Sequence, residues 1–160
     1  MRFLIPAAFL WLIATAILGV GSVASAAQSR SAFDHLPITR EKYQKLLALI
    51  LRQGQEIKGA PAAVKALQLP SDHLRMLGTE HLVTGEFHGV YLDETHSHVI
   101  FDKQVSDPKL ETILIYCDSN LNVLRAVKNT EKGPFEIIRN PIEASDRLRE
   151  ELEFWNNAIE

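Results

Sequence analysis

The first half of the chain has apolar positions at helical spacing. From residue 40, the segment "REKYQKLLALILRQGQEIK" lines one face of an amphipathic helix with Tyr43, Leu46, Leu47, Ile50 and Ile57. Thr39 is the predicted N-cap, and Gly54 weakens or ends the helix. A second, short helix is predicted in "AAVKALQL" (62–69). A third helical turn is predicted in "DHLRML" (72–77), capped by Ser71 and stopped by Gly78.

The period changes after residue 80. Four runs have the composition of strands: 81–93, 96–105, 110–117 and 121–129. Short, turn-rich connections make neighbouring strands antiparallel, because parallel strands need a crossover of about a dozen residues or more. The segment "FEIIR" (135–139) is a candidate fifth strand. The run that ends at Cys117 is apolar on both faces, which predicts a central strand covered on its second side by the N-terminal helices or by another chain.

The end of the chain predicts a helix that needs a partner. Asn140, Pro141 and Glu143 match an N-cap, a first helical residue and a capping-box acid. The apolar face consists of Leu148, Leu152, Trp155 and Ile159. The predicted fold class is therefore α+β: N-terminal helices, a four- to five-stranded antiparallel meander sheet, and a C-terminal amphipathic helix packed on it, with the helices on one face.

The N-terminus resembles a signal peptide. Arg2 precedes an uncharged, largely apolar run of 18 residues, and Ala24-Ser25-Ala26 fits a signal-peptidase site. We predict a signal peptide over residues 1–26, cleaved after Ala26 or, alternatively, after Ala27. A retained anchor is the competing interpretation, because about 20 apolar residues span a bilayer. We expect export, to the bacterial periplasm or beyond it, with 27–38 as an extended lead-in and 39–160 as a single domain.

Charge and cysteine content narrow the classes of partner. The formal charge is −3 and would be −4 without residues 1–26, and there is no cluster of lysines or arginines. Nucleic acids and anionic membrane surfaces are therefore disfavoured as partners, since both are bound through clustered positive charge. Cys117 is the single cysteine of the chain, so no intramolecular disulfide can form. Its place in an apolar run predicts a buried, unreactive free thiol.

Three of the six histidines lie close together in "EFHGVYLDETHSHVIFDK" (86–103). A hairpin loop of three residues, Asp93 to Thr95, would pair Tyr91 with Ser97 and separate apolar from polar residues best, and we predict that register. One face of the hairpin would then carry five candidate ligand residues: Glu86, His88, His96, His98 and Asp102.

Two interpretations of these five residues are open. Imidazoles with a carboxylate suit zinc, and imidazoles also suit copper or nickel. Antiparallel sheets commonly have one solvated face, so a plain polar surface is the favoured interpretation, and no cofactor is predicted. No catalytic residue is assigned, since the chain has neither a G-x-S-x-G elbow nor an H-E-x-x-H motif.

The preferred hypothesis is a small exported binding protein without enzymatic activity, such as an inhibitor, an immunity-type protein or an envelope accessory factor. It predicts an unidentified protein partner and an exposed apolar patch. The alternative is a metal- or small-ligand-binding protein, or a hydrolase, that uses the five hairpin residues. A third class, an enzyme with a cavity between helices and sheet, stays open. Oligomeric state is not predicted.

Overall fold

The computed structural model describes residues 31–59, 62–107, 112–129 and 134–160. In these ranges the chain forms a short 3₁₀ helix (Ala32–His35), three α-helices and seven strands. The α-helices are α1 (Arg40–Gln53), α2 (Ala62–Ala66) and α3 (Pro141–Ala158). The strands are β1 (Gln55–Lys58), β2 (His73–His81), β3 (Glu86–Asp93), β4 (His98–Val105), β5 (Thr112–Asp118), β6 (Val123–Asn129) and β7 (Glu136–Ile137).

The strands form one antiparallel sheet in the order β1 to β7, so each strand pairs with its neighbours in sequence. The predicted α+β class, the antiparallel meander and the C-terminal helix on the sheet are confirmed. The predicted number of strands is too low, because β1 and β2 were assigned to helices. Leu74 and Leu77 have the spacing of a helical face. In β2 their side chains point to different faces of the sheet instead. Leu74 pairs with Asp93 of β3, and Leu77 pairs with Val90.

Both faces of the sheet are covered. One face packs against α1 and α3 through a large core, in which α1 lies on β2 and β3 and α3 lies on β4 to β6. The other face packs against Val64 and Leu67 at α2, which contact a smaller cluster containing Tyr91, Ile100 and Leu114. The prediction that all helices lie on one face is therefore wrong. β5 lies between β4 and β6, a central position, as predicted. It is apolar on both sides because both of its faces are covered.

The two long helices begin where the sequence indicates. The Thr39 side chain accepts a hydrogen bond from the backbone N–H of Lys42, and Asn140 does the same for Ile142. The Glu143 carboxylate lies 3.5 Å from Lys128 Nζ. The Lys42 ammonium donates to the carbonyl oxygen of Asn156 at 2.7 Å and so ties α1 to the end of α3.

The expected signal peptide lies outside the described residues, as does the first part of the expected lead-in. The described part of the lead-in contains the 3₁₀ helix Ala32–His35, and Phe33 and Ile38 are buried in the core beneath α1 and α3. Within the described residues, no helix combines the length and the hydropathy needed to cross a membrane.

Candidate functional site

The β3–β4 hairpin has a different register from the predicted one. Leu92 pairs with Val99 and Tyr91 with Ile100, so the loop contains four residues, 94–97, rather than three. The Asp93 carboxylate closes this loop: its oxygens accept hydrogen bonds from the Thr95 hydroxyl at 2.9 Å and from the Ser97 backbone N–H at 3.0 Å. A polar residue at the strand end sets the register here, and hydrophobic pattern alone did not reveal it.

The corrected register separates the five predicted site residues. Glu86 and His88 lie on the face covered by α1 and α3, because they pair with Val105 and Lys103. His98 and Asp102 belong to the opposite face, and His96 lies in the loop with a positive φ of 58°. The prediction that all five share one face is therefore wrong, since an odd shift in register moves every side chain of one strand to the other side.

Glu86 and His88, on the face covered by α1 and α3, join a buried network with α3. His88 Nδ1 lies 3.0 Å from Oε2 of Glu151 and 3.2 Å from its Oε1. His88 Nε2 lies 3.4 Å from Oε2 of Glu86, so carboxylates flank the ring on both sides. The Phe154 ring stacks on the imidazole with centroids 3.7 Å apart and planes 9° from parallel. This geometry fixes the orientation of the ring.

One positive charge, on Lys103, lies at the outer part of this network. Lys103 Nζ lies 3.6 Å from Glu86 Oε1 and 3.6 Å from Glu150 Oε2. Burial raises the pKa of Glu151, and its hydrogen bond from His88 and the nearby charge of Lys103 oppose that rise. A carboxylate can only accept hydrogen bonds, so His88 Nδ1 carries the proton whenever Glu151 is ionised.

The buried position of this pair argues for a structural role. His88 is 3% exposed and Glu151 is 2% exposed. Four cavities among the described residues have no contribution from either side chain. A general acid or base must come within hydrogen-bonding distance of its substrate, directly or through one water. The pair therefore holds α3 to β3.

His98 lies in an arrangement that superficially resembles a catalytic triad. Its Nδ1 atom lies 3.1 Å from the Ser97 hydroxyl and 3.0 Å from Oδ2 of Asp93. In a triad the serine and the acid contact different ring nitrogens, whereas here both contact the same one. The ring also stacks on Tyr116, with centroids 5.0 Å apart. This cluster closes the hairpin and has no geometry for activating a nucleophile.

Asp102 is the most unusual of the predicted site residues. It is 1% exposed, and its Oδ2 accepts hydrogen bonds from the Tyr91 hydroxyl at 3.2 Å and from Gln104 Nε2 at 3.1 Å. Its Oδ1 is buried and has no hydrogen-bond partner. Burial raises the pKa of Asp102 to about 6, against the lowering effect of the two hydrogen bonds. A buried, half-satisfied carboxylate requires an explanation.

A cavity of about 420 Å³ lies beside Asp102, on the face of the sheet opposite α1 and α3. Six residues line it: Glu80, Phe87, Tyr91, Gln104, Val105 and Ser106. The Phe87 ring lies directly over two glycines of the sheet: a Cβ added to Gly78 would come within 2.6 Å of it, and one added to Gly89 within 3.0 Å. These glycines therefore set the position of Phe87.

A second, larger cleft of about 460 Å³ lies between β6 and the start of α3. Its apolar lining includes Leu36, Leu121, Ile138 and Leu148. β7 pairs only with Val127 and Lys128, and the Ile138 N–H donates to the Ala126 carbonyl, so β7 leaves the first half of β6 uncovered. This cleft therefore combines an open strand edge with an apolar wall.

Metal ligands do not come together in this structure. Within the described ranges, no group of three or more histidine, cysteine, aspartate or glutamate side chains is placed to hold one ion. Cys117 is buried, as predicted, and burial raises the pKa of its thiol. Neither observation supports the metal interpretation of the hairpin.

Sequence reasoning missed Glu151 and the cleft, but one signal for Glu151 was available. The acid lies on the apolar face of α3, three residues after Leu148 and four before Trp155. A charged residue there predicts a buried partner. The open edge of β6 had no such signal, because it depends on β7 being only two residues long.

Comparisons with protein-family models, with curated proteins and with solved structures gave no match for this chain.

Proposed function

We propose that this chain is a small exported binding protein that captures an extended, acidic peptide segment of another protein in the cleft beside β6. One observation carries the proposal: an unpaired strand edge borders an apolar cleft whose charged lining residues are all arginines. Export itself rests on the sequence of residues 1–26.

The open edge supports an extended ligand. Within the described residues, Val123 to Arg125 have no strand partner on the side away from β5. An unpaired edge offers backbone N–H and C=O groups, and extended peptides bind such edges as an added strand. Side chains of an added strand alternate between the two faces, so every second one would point to the apolar wall of the cleft.

Charge supports an acidic ligand. Arg125, Arg139 and Arg149 line the cleft, and none of the described lining residues is an acid. Arg139 and Arg149 are exposed, and Arg149 donates to the His35 carbonyl, so these two residues supply the positive charge. The Arg125 guanidinium instead donates to Gln68, which follows α2 on the other face of the sheet. The first turn of α3 also lines the cleft and adds the positive end of a helix dipole. Carboxylates are therefore favoured and basic segments are repelled.

One exposed apolar side chain belongs to the cleft. Leu124 lines it and is 52% exposed, in the part of β6 that has no strand partner on its outer side. Contact with an apolar side chain of a bound segment would remove this surface from water, which favours binding.

Calorimetric titration with three synthetic peptides of about eight residues tests the proposal. The first alternates valine with glutamate, the second alternates valine with lysine, and the third is the acidic peptide with alternate amides N-methylated. We expect binding of the acidic peptide only, because N-methylation removes the donors that pair with a strand edge. Equal binding of the N-methylated peptide would show that the edge is not used.

Variants of the protein locate the site. The double variant Arg139→Glu/Arg149→Glu should lose the acidic peptide and gain the basic one, whereas Arg52→Glu, which changes an exposed arginine outside the cleft, should do neither. If no peptide binds, or if the cleft variants behave like Arg52→Glu, the proposal is wrong. Self-association that buries the β6 edge would also contradict it, because a second copy would then be the occupant.

A further inference from the structure

The cavity over Phe87 and Tyr91 lies on the other face of the sheet from α3 and does not share residues with the β6 cleft. Its volume of about 420 Å³ is within the range of small-molecule sites, which is about 300–1,000 Å³. The cavity can therefore bind a ligand of a different class from the one in the β6 cleft.

The cavity has a negatively charged surrounding. Glu80 is the charged residue that lines it, and no described lining residue is basic. Asp102 lies one hydrogen bond behind the lining, since Tyr91 and Gln104 both line the cavity and both donate to its Oδ2. The other carboxylate oxygen of Asp102 is buried without a partner. A buried charge without compensation is costly, and a cation nearby would offset that cost.

Two of the other lining residues, Phe87 and Tyr91, are aromatic, and Gln104, Val105 and Ser106 complete the lining. Gly78 and Gly89 permit the Phe87 ring to lie against the sheet. Aromatic rings attract cations that lie over their faces within about 6 Å, and this attraction is strongest for poorly hydrated organic cations. A carboxylate pair with two aromatic rings disfavours anions and gives no advantage to neutral ligands.

We propose that this cavity binds a small organic cation with a methylated ammonium group. Phe87 and Tyr91 surround the methyl groups, and Glu80 and Asp102 supply the opposite charge. This inference is independent of the proposed function, because it uses different residues and a different class of ligand.

Titration with choline and with its uncharged isostere 3,3-dimethylbutanol, followed by calorimetry and by NMR signals of Phe87 and Tyr91, tests the inference. We expect millimolar or tighter binding of choline, and binding of the isostere at least tenfold weaker. Asp102→Asn should weaken choline binding about tenfold and Phe87→Leu severalfold. Glu136→Gln, an exposed acid outside the cavity, should have no effect.

Gly78→Ala gives an independent test of the aromatic wall. The added Cβ would come within 2.6 Å of the Phe87 ring and displace it, so choline binding should fall severalfold while circular dichroism stays unchanged. Equal affinity for choline and its isostere would overturn the inference. So would a folded Asp102→Asn variant with unchanged affinity, or no detectable binding of choline at 10 millimolar.

Discussion

His88 and Glu151 are separated by 63 residues in the chain, and their side chains meet at 3.0 Å in the core between β3 and α3. Both are buried, and Phe154 covers the imidazole ring. Since a buried charge is tolerated only with a partner, the position of α3 on the sheet depends on this pair. This buried pair should therefore contribute more to the stability of the fold than an exposed ion pair with the same interatomic distance.

Removal of one member of the pair should destabilise the protein strongly. We expect Glu151→Ala to lower the free energy of unfolding by about 3–5 kcal/mol, the usual cost of removing one member of a buried polar pair and leaving the other without a partner. Glu151→Gln keeps an oxygen acceptor for His88 and should cost less. Urea unfolding followed by tryptophan fluorescence measures both variants.

The matched control for these variants is Glu153→Ala, which removes an exposed acid from the same helix. It should change the free energy of unfolding by less than about 0.5 kcal/mol. If Glu151→Ala is as mild as Glu153→Ala, the pair does not hold α3 in place.

Asp102 should make stability depend on pH in the mildly acidic range. Its pKa is raised from 3.8 to about 6 in the folded state, so the folded protein binds the proton more tightly than the unfolded chain. The contribution of this group is therefore most favourable below pH 4 and is lost as the pH rises through 6. The expected loss is about 3 kcal/mol. Urea unfolding at pH values between 4 and 7 measures it.

The variant Asp102→Asn isolates this effect from other acids, including Glu151, whose raised pKa acts in the same direction. The free energy of unfolding of the variant, relative to the unchanged protein, should increase by about 2 kcal/mol between pH 4 and pH 7. A difference that stays constant with pH would show that Asp102 titrates normally.

Cys117 should resist thiol reagents in the folded protein. Its side chain is fully buried on the face of β5 that is covered by α1 and α3. Burial also raises the pKa of the thiol, so little of it is present as the reactive thiolate. We expect labelling by an aromatic disulfide reagent only at the rate of unfolding, and complete labelling in urea. Rapid labelling under native conditions, with unchanged circular dichroism, would contradict this.

The loop between β3 and β4 should depend on Asp93. Its carboxylate accepts hydrogen bonds from Thr95, Ser97 and His98, and these bonds lower its pKa in spite of its burial. We expect Asp93→Ala to cost about 1–3 kcal/mol, because backbone donors of the loop lose their acceptor. Glu94→Ala, at an exposed loop position, serves as the control and should be close to neutral. Similar effects of the two substitutions would show that Asp93 does not close the loop.

The fold was predictable where local signals agreed. The caps at Thr39 and Asn140 and the apolar faces of α1 and α3 all indicate the elements that form. β2 was missed because Ser71 and the Leu74/Leu77 spacing mimic a capped helical turn. The strand forms there because β1 and β3 both pair with it, which is a tertiary effect that a local pattern does not contain.

The candidate sites were less predictable than the fold, for the same reason. The positions of His88, His98 and Asp102 depend on a register that a side chain, Asp93, sets outside the alternating pattern. Of the five predicted residues, the structure brings Glu86 and His88 together, and Glu151, which contacts the other ring nitrogen of His88, comes from the far end of the chain. Neither partner nor face can be derived from spacing within the hairpin.

The sequential strand order has a consequence for folding kinetics. Every strand pairs with its neighbour in the chain, so the hairpins need only short loop closures and can form early. The core beneath α1 and α3 is different, because the contact of Lys42 with Asn156 closes a loop of 114 residues. The transition state for folding should therefore contain much of the sheet and little of the contact between the two helices. Substitutions at Tyr43 or Trp155 should then accelerate unfolding and leave the refolding rate almost unchanged.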